Sequence, residues 1–312
     1  MQIKLFVHLL LITTLVVAIL APFTFLQTQP PEVSSDIEKV AVVASIDKIS
    51  SAAKEKAVKK IKEKVVEQPL HTVNLPNFAD IYDIPTKKRQ FFAFIRPSIE
   101  AKNKELAQDR RQLESWHAHI SLGLGLTEEE QASLQVFIKA YRINKQASTL
   151  QQVNDLLERV DIIPTPLVLV QAANESAWGT SRFARIGLNF FGIWCYRAGC
   201  GMVPSGRNSG AKHEVAAFES VDAAVSGYFN NINKHNAYHV FRIIRAELRV
   251  QDQPLSPKVL AAGLLPYSER GSEYVLDITD MLRHNERYFV KPNNPPVYPL
   301  NNKSSNLSQS DG

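Results

Sequence analysis

Only two of the 312 residues are cysteine, Cys195 and Cys200 in WCYRAGCG. A structural zinc site needs four ligands, and no Cys or His cluster supplies the rest, so no metal is expected. The pair reads as a short disulfide loop, which suits an exported chain, or as two free thiols. Concentrated charge of one sign is also missing. Lys and Arg total 36 against 31 Asp and Glu, a net charge of +5. With no long basic block and no nucleic-acid module, DNA and RNA are not expected as partners. The mild positive balance fits an anionic polymer such as bacterial wall, though weakly. There is no glycine-rich phosphate loop, no Gly-x-Ser-x-Gly and no His-Glu-x-x-His. Nothing implies a cofactor, and there is no internal repeat.

What is present begins with one long apolar run, LFVHLLLITTLVVAILAPFTFL, residues 5–26. About 20 apolar residues span a bilayer as a helix. The apolar part of a signal peptide is ~7–15 residues and ends at a small-x-small site. The best such site, Ala18–Ala21, is followed directly by Pro22. An uncleaved anchor is therefore favoured over a cleaved leader. Lys4 precedes the run while Glu32 and Asp36 follow it, which places the bulk of the chain outside the inner membrane, in the periplasm. The chain then divides into an anchor or signal segment 1–27, a charged spacer 28–75, a folded domain 76–291 and a disordered tail 292–312.

The folded part reads as mainly α. Residues 68–90 read as irregular extended chain. A helix is expected from Pro97, which fits a first helical turn, with Ile99, Leu106, Leu113 and Trp116 on one face. Thr127 and Glu130 form a capping box for a second helix. TLQQVNDLLERVDIIP is a third, stopping before Pro164. The fourth, TPLVLVQAANESAWG, has Thr165 to cap it, Pro166 in its first turn and Gly179 to end it. SRFARIG is a short helix. Residues 190–218, with their β-branched and aromatic residues, glycines and both cysteines, suggest a small β-hairpin lobe. Residues 220–249 are helical again, and so are SPKVLAAGLL and SEYVLDITDMLRHNERYF.

Glu175 is the residue to explain. Val168, Gln171, Ala172 and Glu175 lie along one side of the fourth helix, so the acid stands near the helix C-terminus beside packed residues. Burial and the negative end of the helix dipole both disfavour its charged form, which raises its pKa. A carboxyl still protonated at neutral pH is what glycoside cleavage needs as general acid, as in the familiar lysozyme case. Trp178, Phe190 and Phe191 offer an apolar wall. The alternative is that Glu175 caps a loop or pairs with Arg182 or Arg185. His235 and His239, four apart, lack a third ligand and read as surface or packing residues.

The stretch QAANESAWGTSRFARIGLNFFGIW resembles the signature of the bacterial glucosaminidases, glycoside hydrolase family 73. Gln171, Ala172, Glu175, Ser176, Trp178, Gly179, Ser181, Ala184, Asn189, Phe191, Gly192 and Ile193 match it. AAFESVDAAVSGYFNNINKHNAY and GLLPYSERGSEYV are similar to later segments of the family. WCYRAGCG, NINKHNAY and YSERG look most like its Bax-type subgroup of membrane-anchored proteins. The resemblance covers about residues 85–290. It implies a lysozyme-like helical domain with a small β lobe. It also implies hydrolysis of the β-1,4 bond after N-acetylglucosamine in peptidoglycan glycan strands, with Glu175 as acid. Gln171, Trp178, Asn189, Phe191, Tyr238 and Tyr274 are carried over as substrate-binding candidates.

Here the chain departs from the pattern. The family's second Glu falls about a dozen residues before Phe218, where this chain has Gly206. Glu214 is the nearest substitute, with Glu219 and Asp222 beyond, and a solvated hairpin acid is its competing reading. A carboxylate nucleophile would sit about 5 Å from the acid, and an inverting base about 6.5–9.5 Å. A substrate-assisted route needs no second carboxylate. Tyr267 could then orient or stabilise the sugar, and it is the third catalytic candidate, although core packing explains Tyr267 and Tyr274 equally. The rival readings are a lytic transglycosylase on a related fold, a non-catalytic wall-binding module, and a structural membrane protein organised by residues 35–67.

Overall fold

The computed structural model describes residues 67–290 apart from 205, 208, 209 and 211. The expected membrane segment, the spacer up to residue 66 and the tail from 292 lie outside these residues. Among the described residues no helix is long and apolar enough to cross a membrane. They are mainly helical with one small sheet.

Helix α1, Ile84–Ser121, starts where the Asp83 carboxylate accepts from the Thr86 N–H at 2.8 Å, and Pro85 occupies its first turn. The expected start at Pro97 is therefore thirteen residues late, and Pro97 lies inside the helix. An internal proline costs about 3 kcal/mol. Phe91, Phe92, Ile95 and Ile99 flank it and are at most 1% exposed. Each contributes about 1.5–3 kcal/mol of burial, so packing outweighs the break. The supposedly irregular stretch before α1 also holds a 3-10 turn, Phe78–Asp80, with Phe78 buried.

Helix α2, Glu128–Tyr141, carries the expected capping box, Glu130 N–H to Thr127 Oγ1 at 3.2 Å and Thr127 N–H to Glu130 Oε2 at 2.9 Å. Helix α3 is Thr149–Arg159. Helix α4, Thr165–Glu175, is capped by Pro164, not Thr165. Thr165 is already helical, and its hydroxyl accepts from Asn103 at 3.4 Å. Helix α5 is Arg182–Gly187, with Ser181 accepting from the Ala184 N–H. Three short strands follow: β1 Trp194–Cys195, β2 Gly201–Met202 and β3 Glu214–Ala216. They pair antiparallel in the order β1-β3-β2, Trp194 opposite Val215 and Gly201 opposite Ala216. The long helical stretch expected next is broken at His235 into α6, Val221–Lys234, and α7, His239–Val250. Helices α8, Pro257–Ala261, and α9, Ser272–His284, complete the described fold.

Helix α4 is the central element. Every residue from Leu167 to Ala173 is buried, and α1, α8 and α9 pack around it. A helix apolar on all sides belongs in a core, where it is held rigidly. The C-terminal end of the domain closes on the start of α1. Lys88 Nζ donates to Asn285 Oδ1 at 2.8 Å, Arg96 donates to the Tyr288 carbonyl at 3.0 Å, and the Phe92 and Phe289 rings lie 5.9 Å apart. A second anchor is Asp161, 1% exposed, which pairs with Arg110, Arg245 and Arg249.

Candidate active site

The sequence stops α4 at Glu175 itself, four residues before Gly179. The Ser176 hydroxyl donates to the Ala172 carbonyl at 2.6 Å and accepts from the Gly179 N–H at 2.8 Å. Ala177, Trp178 and Gly179 are all left-handed, at φ 49°, 59° and 78°. No α-helix continues through such a run. Gly179 is required there: a Cβ would lie 2.5 Å from Phe78 Cδ2. The turn sets the half-buried Trp178 against an aromatic cluster, its ring centroid 5.9 Å from Phe91 and 5.2 Å from Phe92, with Lys88 above it. Phe190 joins the same cluster through Phe91 and Phe94. Instead, Gly192 adjoins the acid, since a Cβ on it would stand 3.6 Å from Glu175 Oε2.

Glu175 is half-buried and takes part in no ion pair among the described residues. Arg182 is paired with Glu67 instead. Burial pushes the Glu175 pKa up. Hydrogen bonds from the Tyr274 hydroxyl and from Asn174 Nδ2, the latter at 3.3 Å, offset part of this, as does the charge of Arg270. The net result is a carboxyl biased toward its protonated form.

Behind it lies a buried relay. Tyr228 donates to Gln171 Oε1, and Gln171 Nε2 donates to the Tyr274 hydroxyl at 2.9 Å. That contact leaves the Tyr274 proton to point at Glu175. Tyr267 stacks on Tyr274 at 5.5 Å and donates to the Phe191 carbonyl at 2.7 Å. Phe191 stacks on Tyr228 at 4.5 Å, and Tyr238 stands 5.9 Å from Tyr267. Burial raises all four phenols, Tyr238 to about 12, so they remain neutral donors. The structure thus gathers Gln171, Phe191, Tyr238, Tyr267 and Tyr274 around Glu175. Gln171 has both amide atoms engaged in the relay, which makes it a positioning residue, not a free sugar ligand.

Two other candidates are tied down elsewhere. Asn189, 1% exposed, donates to the Ile193 and Ala216 carbonyls and accepts from the Phe191 and Ile193 N–H groups. It has nothing left for a sugar. Glu214 lies on β3 as a buried residue and accepts from the Gly199 and Gly201 N–H groups at 3.0 and 2.9 Å. Those amides hold its carboxyl below the usual range. The candidate second catalytic acid, whose alternative reading was a solvated hairpin acid, is thus a clasp for the lobe. Cys195 and Cys200 are joined in a disulfide. They cluster with Glu214, but bonded sulfurs are not metal ligands. His235 accepts from the Ala237 N–H and His239 pairs with Glu158, so the two serve separate contacts. Sequence reading missed Tyr228 and named Gly192 only as a motif match, with no place beside the acid. Gly192 stands inside the quoted motif, and Tyr228 follows Ala224 at helical spacing on the buried face of α6.

The family model described as mannosyl-glycoprotein endo-beta-N-acetylglucosaminidase matches residues 150–286, a span that contains the whole Glu175 relay. Protein bax of Escherichia coli (strain K12) is 33% identical over 215 residues, covering 69% of this chain and 75% of that protein. No solved structure matches significantly.

Proposed function

This chain belongs to the glucosaminidase family as a Bax-type protein, and from that premise we propose that it hydrolyses the β-1,4 bond after N-acetylglucosamine in peptidoglycan, with Glu175 as general acid. The family domain suggests a peptidoglycan-acting glycosidase. The finer reading rests on one observation: Glu175 is a half-buried carboxyl with no ion pair among the described residues, set against Gly192 and beside the buried Gln171–Tyr274 pair, and burial there pushes its pKa up. Proton donation to a departing sugar oxygen contributes about 10²–10⁴-fold.

The engagement of Glu214 by two backbone amides supports a route with one acid. In that route the substrate's own N-acetyl oxygen attacks the anomeric carbon as Glu175 protonates the leaving oxygen. Water then opens the cyclic intermediate and the proton returns to Glu175. The tyrosines keep the acid oriented. A disulfide in the β lobe supports an oxidising compartment. We extend the proposal to an N-terminal anchor in the inner membrane with the domain in the periplasm, which protease accessibility in intact spheroplasts tests.

The decisive experiment is product analysis of digested peptidoglycan, wild type against Glu175→Gln. Reducible N-acetylglucosamine ends from the wild type alone are expected. Anhydro ends would assign a lytic transglycosylase. No product from a folded chain would assign a wall-binding module.

A further inference from the structure

Gly227, Asn230, Asn231 and Lys234 recur at three- and four-residue spacing and share one stripe of α6. That stripe lines a groove of about 770 Å³, completed by Ala140, Arg142, Arg159, His235 and Asn236. No acid is among these residues. Three basic side chains therefore face one hollow, each from the end of a different helix: Arg142 caps α2, Arg159 ends α3 and Lys234 ends α6.

None of the three has an ion-pair partner among the described residues. Arg159 donates to the Tyr141 carbonyl at 3.0 Å, and Lys234 Nζ sits 4.6 Å over the Tyr141 ring. Burial and the nearby charges of Lys102 and Arg142 pull the Lys234 pKa down. Two acids, Asp155 and Glu158, line an adjacent hollow together with Arg159. Both are engaged there, Asp155 with Gln151, and Glu158 with His239 and Arg242. A hollow with like charges and no counter-charge favours an anion.

One side-chain contact joins the groove's lining to the tyrosines of the candidate site. Asn231 donates to the Tyr238 hydroxyl at 3.5 Å. From Tyr238 the rings of Tyr267 and Tyr274 follow at 5.9 and 5.5 Å, and Tyr274 donates to Glu175. In a peptide-bearing strand the sugar rings carry no charge for these cations, since the N-acetyl groups are neutral and the lactyl carboxyl is tied up in the amide to the peptide. The peptides attached to the glycan do, in their free carboxylates. Asn230, Asn231 and Asn236 add side-chain amides that both donate and accept, as peptide amides require. A phosphodiester chain offers them no amides.

We propose that the groove is a subsite for the carboxylate-bearing peptides of the glycan strand, with Arg142, Arg159 and Lys234 as its cationic contacts. This rests on reading Glu175 as the acid of a glycosidase. It goes further by making the enzyme discriminate peptide-bearing from bare strands.

The test uses the full chain and the double variant Arg142→Gln/Lys234→Gln, with the single Arg142→Gln, at an exposed residue, guarding against a folding defect. Binding is measured in the Glu175→Gln background, so that no strand is consumed. The probes are peptide-bearing glycan strands, the same strands stripped by an amidase with the lactyl carboxylates so freed capped as methyl amides, and poly(glycerol phosphate). The parent should bind peptide-bearing strands about tenfold more tightly than stripped ones, the scale of two or three semi-exposed charge pairs. The double variant should lose that preference, Arg142→Gln should lose part of it, and affinity for stripped strands should stay the same. Equal affinity of the parent for both strands overturns the proposal, as does tighter binding of the phosphate polymer. So does an equal loss on both strands in the variants. Since binding is the readout, the groove can stand where hydrolysis fails, and hydrolysis can stand where the groove fails.

Discussion

Asn189→Ala separates a structural residue from a sugar ligand. Its side chain makes four hydrogen bonds, all to backbone, around the turn that brings Gly192 against Glu175. At about 1 kcal/mol net each, with more for the buried Ala216 carbonyl left unpaired, the loss is roughly 3–5 kcal/mol. Against a total of about 5–15 kcal/mol that is severe. With a urea slope of about 2–3 kcal/mol per M, the unfolding midpoint falls by more than ~1 M. Asn189→Asp keeps the two acceptors but turns a carboxylate oxygen toward two carbonyls. It should be destabilised at neutral pH and recover on acidification, when the carboxyl can donate again. Urea titration followed by circular dichroism measures both. A midpoint within ~0.3 M of wild type, with KM raised tenfold or more, would refute the reasoning and make Asn189 a substrate contact.

Glu175→Gln should abolish turnover without unfolding the chain. Because the folded pKa of Glu175 is raised, its contribution to stability is complete below the ordinary carboxyl value and fades as pH rises through the folded value. The stability of the Gln variant relative to wild type should therefore increase over that window, as thermal melts across pH will show. Tyr274→Phe removes a hydrogen bond that favours ionised Glu175, so the basic limb of the pH–rate profile should move to higher pH. Gln171 Nε2, left without its acceptor, costs about 1–3 kcal/mol. Glu214→Gln should retain kcat within about tenfold, because the amide oxygen can still accept from Gly199 or Gly201. A loss of a hundredfold or more would restore it as a second catalytic group. Cys195→Ser should cost about 2 kcal/mol from the entropy of a short closed loop, read by calorimetry with and without reductant.

The helices were legible where local chemistry decides them. Thr127 with Glu130 and Ser181 with Ala184 mark their starts by side chains within one turn. Pro97 misled because its local cost is overruled by burial against residues far along the chain, which no window of sequence contains. The isolated acid at the end of α4 was legible, and so was the sign of its pKa shift. Its partners were legible only as residue types. Tyr274 and Gln171 are 103 positions apart and meet only when α9 packs on α4. Asn189 and Trp178 sit in a motif that resembles a binding signature, yet their side chains hold the turn in shape. A motif records which residues a site requires without recording which of them touch the ligand. Glu214 was put forward as a second catalytic acid, with a solvated hairpin acid as the alternative, and neither reading contains the Gly199 and Gly201 amides that claim it, because they lie 15 and 13 positions away in the chain.

The closure of residues 285–289 onto the start of α1 has a consequence for the order of events during synthesis. Lys88 and Arg96 meet their acceptors across 197 and 192 positions. Until the ribosome has released that last segment, Arg96 lacks the Tyr288 carbonyl and Phe92 lacks the Phe289 ring. The first helix to emerge is thus among the last to be sealed, and nascent chains halted before residue 285 should remain open to protease at α1.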